Sequence, residues 1–532
     1  MNSNLRPANT PRILCALCVL LYSNAAAAQP NILLFLADDL GYADIGVNGC
    51  KDIPTPNIDS IAKNGVRFTD GYATHCVCSP SRAGLMSGMY QHRFGFEHNS
   101  GPERFADPNF GMPREIPSLA EKLKAAGYAT GMIGKWHIGF KEGLRPHERG
   151  FDEHFGFLSG ARSFYPDNPR ENDPIVRNGV PVKGEKDYLT DAFAREAVSF
   201  IERSKDKPWF VYFAFNAVHS PLEATEAYES RFPHITDPKR KTYAGMLSAL
   251  DDAVGRVMAK VRELGQEEHT LVMFYSDNGG PTAETSSRND PLRGFKGQMY
   301  EGGVRVPFVM QWKGMIPAAM TYTQPVMGFD CHATALAAAK VDWASAQTTG
   351  DSAKAETTLD GINLLPYLLG EKTTAPHDYL CWRAGAQRAI RMGDWKLVQT
   401  PRESTAQLFN LKTDLSETTD LATKEPAKFD ELAAKFAEWE RGTISAKWIR
   451  QDQRNAEEGG APKSVTRPKG TTNRVVEAFK KADANNDGQL TREEYPQKEV
   501  FDAVDANQDD QATLEEVRVY FQKRRAGQIA EP

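Results

Sequence analysis

Four short runs of apolar residues, rich in β-branched and aromatic types, each end in polar groups: NILLFLADD (31–39), YATGMIGKWH (128–137), PWFVYFAFNAVHSP (208–221) and TLVMFYSDNGG (270–280). Unbroken apolarity over six or seven residues, rather than strict alternation, is the pattern of strands buried on both faces of a parallel sheet. Between these runs, IPSLAEKLKAAG (116–127), LTDAFAREAVSFIERS (189–204) and TYAGMLSALDDAVGRVMAKVRELG (242–265) space their apolar residues at helical intervals. The alternation predicts an α/β fold with a mostly parallel sheet between helices. The polar strand ends carry Asp38 and Asp39, Lys135 and His137, His219, and Asp277 and Asn278. Ligands of open α/β sheets bind beyond the carboxyl ends of the strands, so these four ends are expected to converge on one site.

Asp38, Asp39, Asp277 and Asn278 are hard oxygen donors, suited to calcium or magnesium rather than zinc. Neighbouring aspartates in a continuing strand face opposite ways, so Asp38 and Asp39 reach one ion only if the chain turns there. The glycine of DDLGYAD offers such a turn. Lys135 and His137 are two apart and are expected to share a face, with Trp136 directed away. A net charge of −6 with mixed signs gives no basic field for nucleic acid.

Arg6 and Arg12, an apolar run at 13–22 and small residues through Ala28 fit a secretory signal cut near Ala28/Gln29. No later run is long enough to cross a bilayer, so a periplasmic or secreted location is expected, with no membrane span. Export would leave five cysteines: Cys50, Cys76, Cys78, Cys331 and Cys381. An odd number implies that at least one is not in a bridge.

Two of the five stand in HCVCSPSRAGLMSG (75–88). Their C-x-C spacing excludes a C-x-x-C redox pair, and no second cysteine or histidine pair completes a zinc tetrahedron; a thiolate nucleophile stays open. Pro80 fits a first helical turn that Ser79 could cap, which would aim free amides at an anion beside Cys78. Cys78, Pro80, Ser81, Arg82, Leu85 and Gly88 reproduce the pattern C-x-P-S-R-x-x-L-x-x-G, and on these residues the chain resembles the sulfatase family. GYATGMIGKWH resembles that family's second signature, and LRGFKGQMYEGGVRVPFVMQWKG the segment with a substrate lysine, here Lys296.

The resemblance, from about residue 31 to 439, implies an alkaline-phosphatase-like α/β core and oxidation of Cys78 to formylglycine by a maturation enzyme. It further implies one calcium ion held by Asp38, Asp39, Asp277 and Asn278, with residue 78 completing the shell. Lys135, His219 and Lys296 are then sulfate contacts, Arg82 supports the formylglycine, and His137 is the base that regenerates it. Sulfate monoesters are poor electrophiles ringed by negative oxygens, so metal and cations must neutralise charge before a nucleophile approaches. A hydrated aldehyde offers one hydroxyl to attack sulfur and a second to expel sulfate. His219 or Lys296 is the expected proton donor to the leaving alcohol. Sulfated carbohydrate or aryl sulfate is the implied substrate class. A phosphonate or phosphate ester hydrolase of the same superfamily, and a catalytically dead calcium-dependent scaffold, are the alternatives. The variable loop GFLSGARSFYPDN offers Ser159, Arg162 and Ser163 as exposed substrate-reading candidates.

After the core, AIRMGDWKLVQ reads as a hairpin and PAKFDELAAKFAEWERG as an amphipathic helix, together a small antiparallel sheet with a covering helix. DANNDGQLTREE then matches a twelve-residue EF-hand loop through Asp483, Asn485, Asp487, Gln489 and Glu494, with Gly488 at the turn. DANQDDQATLEE repeats it with Asp505, Asn507, Asp509, Gln511 and Glu516, but Asp510 replaces the glycine, so weaker calcium binding is expected. Expected boundaries are a signal at 1–28, a catalytic domain at 29–375, a C-terminal subdomain at 376–445, a linker at 446–472 and an EF-hand or dockerin-like pair at 473–525. A calcium-stiffened appendage is preferred there over a sensor or a docking device for a protein partner.

Overall fold

A computed structural model describes residues 29–101, 107–168, 173–342, 358–401 and 405–448, and, towards the C-terminus, 479, 481–485, 487–514, 516–517 and 519–520. The expected signal at 1–28 and nearly all of the expected linker lie outside the described residues. Strands β1 (Asn31–Ala37), β2 (Val66–Phe68), β3 (Gly71–Tyr72), β4 (Ala129–Lys135), β5 (Glu153–Phe157), β6 (Val176–Arg177), β7 (Val180–Pro181), β8 (Trp209–Ala214), β9 (Thr270–Ser276), β10 (Phe308–Gln311) and β11 (Met320–Tyr322) supply the main sheet, with β3 excepted. Its order is β11-β2-β10-β9-β1-β8-β4-β5-β6-β7. The five strands from β9 to β5 run parallel, while β10 is antiparallel to both β9 and β2. The four apolar runs noted above are therefore four adjacent strands of one mixed, mostly parallel sheet.

Both faces of that sheet are covered. Along β1, Leu33, Phe35 and Ala37 enter one core and Ile32, Leu34 and Leu36 the other, the two-residue period of a strand sandwiched by helices. The first core takes side chains from α1 (Pro56–Lys63), and the second from α2 (Cys78–Ser87) and α3 (Leu119–Ala125). Helix α4 (Leu189–Ser204), the short α5 (Glu226–Glu229) and the long α6 (Pro238–Glu263) belong to the first core; the helix Asp330–Ala338 belongs to the second. Fully burying each Leu or Phe here contributes about 1.5–3 kcal/mol. Both layers together hold the strand ends rigid.

Strand register places the polar ends side by side. Ala37 pairs with Ser276 and Leu36 with Ala214, so Asp38 and Asp277, the next residues of β1 and β9, emerge together. Gly134, just before Lys135, is needed for close approach. A Cβ there would lie 1.9 Å from the Ala214 carbonyl oxygen and push β4 off β8.

Beyond β12 (Val326–Met327), which pairs with β3, the strands β13 (Leu380–Ala384), β14 (Gln387–Met392), β15 (Trp395–Gln399) and β16 (Gln407–Asn410) form an antiparallel sheet. The helix Pro426–Arg441 covers it. This third core also contains Tyr72, Cys76, Met299, Tyr300 and Val304, so the small sheet packs on segments that flank residues 78 and 296. Near the C-terminus β17 (Gln489–Thr491) and β18 (Gln511–Thr513) pair antiparallel, and the helix Phe501–Val504 lies between them in the chain. No helix among the described residues is long and apolar enough to cross a membrane.

Candidate active site

Three carboxylates and three cations interleave at the ends of β1, β4 and β9. Lys135 Nζ donates to Asp38 Oδ2 at 2.6 Å and Lys296 Nζ to Asp39 Oδ2 at 2.8 Å. Arg82 donates through Nε to Asp277 Oδ2 at 2.9 Å and through Nη1 to the Lys135 carbonyl at 2.9 Å. The Asp39 amide donates to Asp277 Oδ1 at 3.3 Å, and Asn278 Nδ2 to Asp39 Oδ1 at 2.7 Å. Cys78 Sγ lies 3.6 Å from Asp38 Oδ1, and His219 Nε2 3.5 Å from Asp39 Oδ2. The strand ends thus converge as their order along the chain predicts. The turn that lets both aspartates face one point is made by Asp39 itself, at φ 62, and not by Gly41, whose φ is −69. Aspartate tolerates the left-handed region because its short polar side chain bonds locally.

Burial and charge oppose each other here. Burial pushes the Asp39 carboxyl up, but Lys296, His219 and Lys135 together bring it down to about 2. At Asp277 burial wins, helped by Asp38, and the carboxyl rises to about 6 despite Arg82. Burial drives His219 down, yet Asp39 and Asp38 raise it to about 9. His219 Nδ1 faces the Ser220 carbonyl at 2.6 Å, an acceptor that fixes a proton on Nδ1. Burial also dominates at Cys78, but Lys135 and Lys296 pull its thiol down to about 7, whereas burial lifts the thiol of Cys76, two residues away, to about 12. Of the two cysteines in the C-x-C stretch, only the second stands in an electropositive setting that activates sulfur.

Cys78 opens α2, whose N-terminal boundary residue is Val77 with no side-chain cap. Ser79 is therefore not the cap expected from the sequence. It lies inside the first turn, where its amide donates to Asn99 Oδ1 at 3.0 Å and its hydroxyl donates to the His137 carbonyl. His137 leaves the strand at φ 61, so it does not simply share a strand face with Lys135. His137 Nε2 meets the Ser100 carbonyl at 3.1 Å, which places the ring proton on Nε2. Its Nδ1 is buried and unpartnered, and burial together with Lys135 and Arg82 holds the ring well below its ordinary pKa. Gly160 packs on this ring; a Cβ there would come within 2.5 Å of Cε1.

Ser159, Arg162 and Ser163 lie in the segment around Gly160, but two of them are not the exposed residues expected. Arg162 and Ser163 are buried, Arg162 donating to the Ser163 and Asp173 carbonyls and Ser163 to Glu223. Ser159 donates its hydroxyl to the Ala161 carbonyl. These bonds shape the loop. Sequence reasoning missed Asn99 and Ser100, which hold Ser79 and His137, because isolated Asn and Ser in a Gly-rich stretch give no spacing signal. His75 and His92 both face the Arg383 carbonyl, at 3.0 and 2.9 Å. All five cysteines of the described residues are free thiols.

The donor set suits a divalent cation. One ligand atom each from Asp38, Asp39, Cys78 and His219 lie within 4.8 Å of one another. Hard divalent cations such as calcium take oxygen donors, so Asp277 and Asn278 suit the two aspartates better than His219 does; Asn278 Oδ1 is a buried oxygen with no hydrogen bond. Carboxylates alone would suit a cation and lysines alone an anion. Interleaved within hydrogen-bond distance, they suit a cation and an oxyanion together.

The two twelve-residue loops near the C-terminus have matching internal bonds. Asp483 accepts from the amides of Asp487 and Gly488, and Asp505 from those of Asp509 and Asp510. Asn485 and Asn507 accept from the same amides of Asp487 and Asp509, and Glu494 and Glu516 each accept from a threonine. The amides of Gln489 and Gln511 donate to Asp487 and Asp509. Gly488 and Asp510 both turn at positive φ, which costs the aspartate more than the glycine.

A sulfatase family profile matches residues 30–341 and an EF-hand profile residues 475–495, the first loop alone. N-acetylgalactosamine-6-sulfatase of Sus scrofa is 33% identical over 70% of this chain and 72% of its own. Arylsulfatase J of Mus musculus is 30% identical over 81% and 79%. Among solved structures, Ps i-CgsB in complex with k-i-k-neocarrahexaose superposes with a TM-score of 0.74 at 36% identity, over 81% of this chain and 96% of that one. Together with a cluster of cations and carboxylates closing on residue 78, these likenesses establish that the chain belongs to the sulfatase family, and is a sulfuric ester hydrolase.

Proposed function

We propose that this sulfatase is exported and hydrolyses sulfate monoesters of a carbohydrate, using formylglycine made from Cys78 and one calcium ion held by Asp38, Asp39, Asp277 and Asn278. The observation that carries the proposal is the interleaving of three carboxylates with Lys135, Lys296 and Arg82 around residue 78. Cys78 Sγ here marks where the oxygens of the hydrated aldehyde would stand. The hydrate would supply a nucleophilic oxygen, and the ion, when bound, would lower that oxygen's pKa and screen the sulfate charge.

The chain's own residues do the rest. Lys296, with Lys135 behind it, draws the sulfate oxygens in and neutralises them. His219 aims Nε2 at Asp39 in the cluster and, when protonated there, donates that proton to the leaving alkoxide. His137 carries its proton on Nε2, so its Nδ1 lone pair can take the proton released when sulfate departs. Arg82 locks Asp277 and the end of β4 together.

Carbohydrate is favoured by two observations. Phe295, adjacent to Lys296, leaves 42% of its surface open, an apolar face of the kind a sugar ring covers, and the neighbour Ps i-CgsB was crystallised with a saccharide. Both EF-hand-like loops are proposed to bind calcium and stiffen the C-terminal module, the second more weakly. Mass spectrometry of the tryptic peptide spanning residue 78, from the native host, tests the assignment: aldehyde is expected, and unaltered thiol would leave only the scaffold reading. Faster cleavage of phenyl phosphonate than of aryl sulfate by the matured enzyme would move the chain to the phosphonate reading.

A further inference from the structure

The lysine loop is held from outside the catalytic core. Residues 292–304, which carry Lys296, are gripped at several points by the antiparallel sheet and by the loop that follows its last strand, β16. Arg293 donates to the Glu417 carbonyl at 2.7 Å, the Glu301 amide donates to Glu417 Oε2 at 2.7 Å, and Lys396 Nζ donates to Glu301 Oε1 at 2.7 Å. One contact falls next to the lysine itself. Gln387, the first residue of β14, donates from Nε2 to the Gly297 carbonyl at 2.8 Å, while the Gly297 amide donates to the Cys76 carbonyl at 2.9 Å. Gly297 is thus tied on one side to the loop leading into residue 78 and on the other to the small sheet. The neighbouring Lys296 amide reaches the Gly280 carbonyl only at 3.5 Å, a long contact, so Gly297 is the firm point of the loop.

We infer that Gln387 is a positioning residue for Lys296: its side-chain amide, through Gly297, fixes the distance between the lysine ammonium and residue 78. This rests on the reading of Lys296 as a sulfate contact. Lysine has four rotatable bonds and reaches its target only if its backbone is fixed. Removing one amide donor from the loop's anchor frees that backbone without touching any charged group in the cluster. Gln387 is distant in sequence from every residue of the site, and no motif includes it.

The test uses Gln387→Met in the matured, calcium-loaded enzyme, which keeps the side chain's length and removes its donor. Thermal unfolding, aryl sulfate kinetics and calorimetric binding of inorganic sulfate are measured, alone and in a Lys296→Met background. The expected result is an unchanged Tm, a fall of about three- to tenfold in kcat/KM, and a matching loss of sulfate affinity, as for one lost hydrogen bond. In the Lys296→Met background the substitution should add nothing further. An undiminished, additive effect there, or unchanged kinetics and sulfate binding in the single variant, overturns the positioning role alone. Unchanged sulfate binding in Lys296→Met overturns the reading of that lysine and the positioning role with it. If Gln387→Met lowers folded yield, Gln387→Asn, whose amide is too short to reach Gly297, carries the same comparison.

Discussion

Two buried clusters in this molecule have the same ionic composition and opposite purposes. At the strand ends, Asp38, Asp39 and Asp277 face Lys135, Lys296 and Arg82. Beneath the small sheet, Glu301, Glu417 and Asp70 face Lys396, Arg305 and Arg391, with ion pairs between 2.6 and 3.2 Å. Three carboxylates against three cations describes both. Two features separate them. The first cluster keeps atoms with neither a hydrogen bond nor an ion pair, Asn278 Oδ1 and His137 Nδ1, whereas the one unbonded oxygen of the second, Glu417 Oε1, still pairs with Lys396 at 3.2 Å; the first also opens to solvent through Lys296 and His219, whose side chains are 16% exposed. The second is more closed, with Lys396, Glu301 and Glu417 at 0% and Asp70, Arg305 and Arg391 at 10% or less, and Tyr72 donates its hydroxyl into it. Buried ion pairs by themselves therefore do not mark a site; unsatisfied ligand atoms beside an opening do.

Substitutions can sharpen that contrast. The largest effect is expected from Asp277→Asn, which keeps an acceptor for Arg82 while removing a charge from the proposed metal site. Aryl sulfate turnover should fall by about 10³-fold or more, with Tm nearly unchanged. Equal losses of activity and stability would erase the distinction between the clusters. Lys396→Met should do the reverse to first order. It strands two buried glutamates, and urea unfolding should report a loss of about 3–5 kcal/mol.

Next in size is a pH effect confined to the closed cluster. Burial raises the Glu417 carboxyl to about 7, against the pull of Lys396 and with a push from Glu301. The folded chain therefore retains a proton that the unfolded chain has released between the ordinary glutamate value of 4.5 and about 7. The folded state binds more protons in that window, so this group's contribution to stability falls as pH rises through it. Glu417→Gln keeps the acceptor for the Glu301 amide and removes the titration. It should leave stability near pH 4.5 unchanged and raise it at pH 8 by on the order of 1–3 kcal/mol, as read by urea titration at both pH values. The smallest effect belongs to the rim. Phe295→Ala should raise KM for a sulfated oligosaccharide and leave a small aryl sulfate unaffected, a split that steady-state kinetics on both substrates resolves.

The open cluster was legible in the sequence and the closed one was not. Asp38, Lys135, His219 and Asp277 each follow an apolar run, and strand order with parallel register carries such residues to one edge whatever their separation along the chain. Cys78 and Arg82 announce themselves by fixed spacing within one helix. Lys396, Glu301 and Gln387 sit inside an alternating strand or a glycine-rich turn, where a charged or amide residue reads as solvent-facing. Only the packing of the small sheet on the core turns them inward. Ser79 failed as a cap because its hydroxyl is taken by the His137 carbonyl, a contact that depends on how β4 ends. Arg162 and Ser163 looked exposed because their partners Asp173 and Glu223 lie in separate stretches of chain.

Residue 78, the first residue of α2, is only 1% exposed, among the side chains at or just past the ends of β1, β4 and β9. If residue 78 is converted to formylglycine as proposed, the converting enzyme could not grasp this side chain once those strands have closed. Conversion to the aldehyde would then be confined to the nascent chain, in the interval before the sheet assembles, and molecules that fold too soon would be shut out permanently. The specific activity of a preparation would record the outcome of that race as much as the quality of its folding.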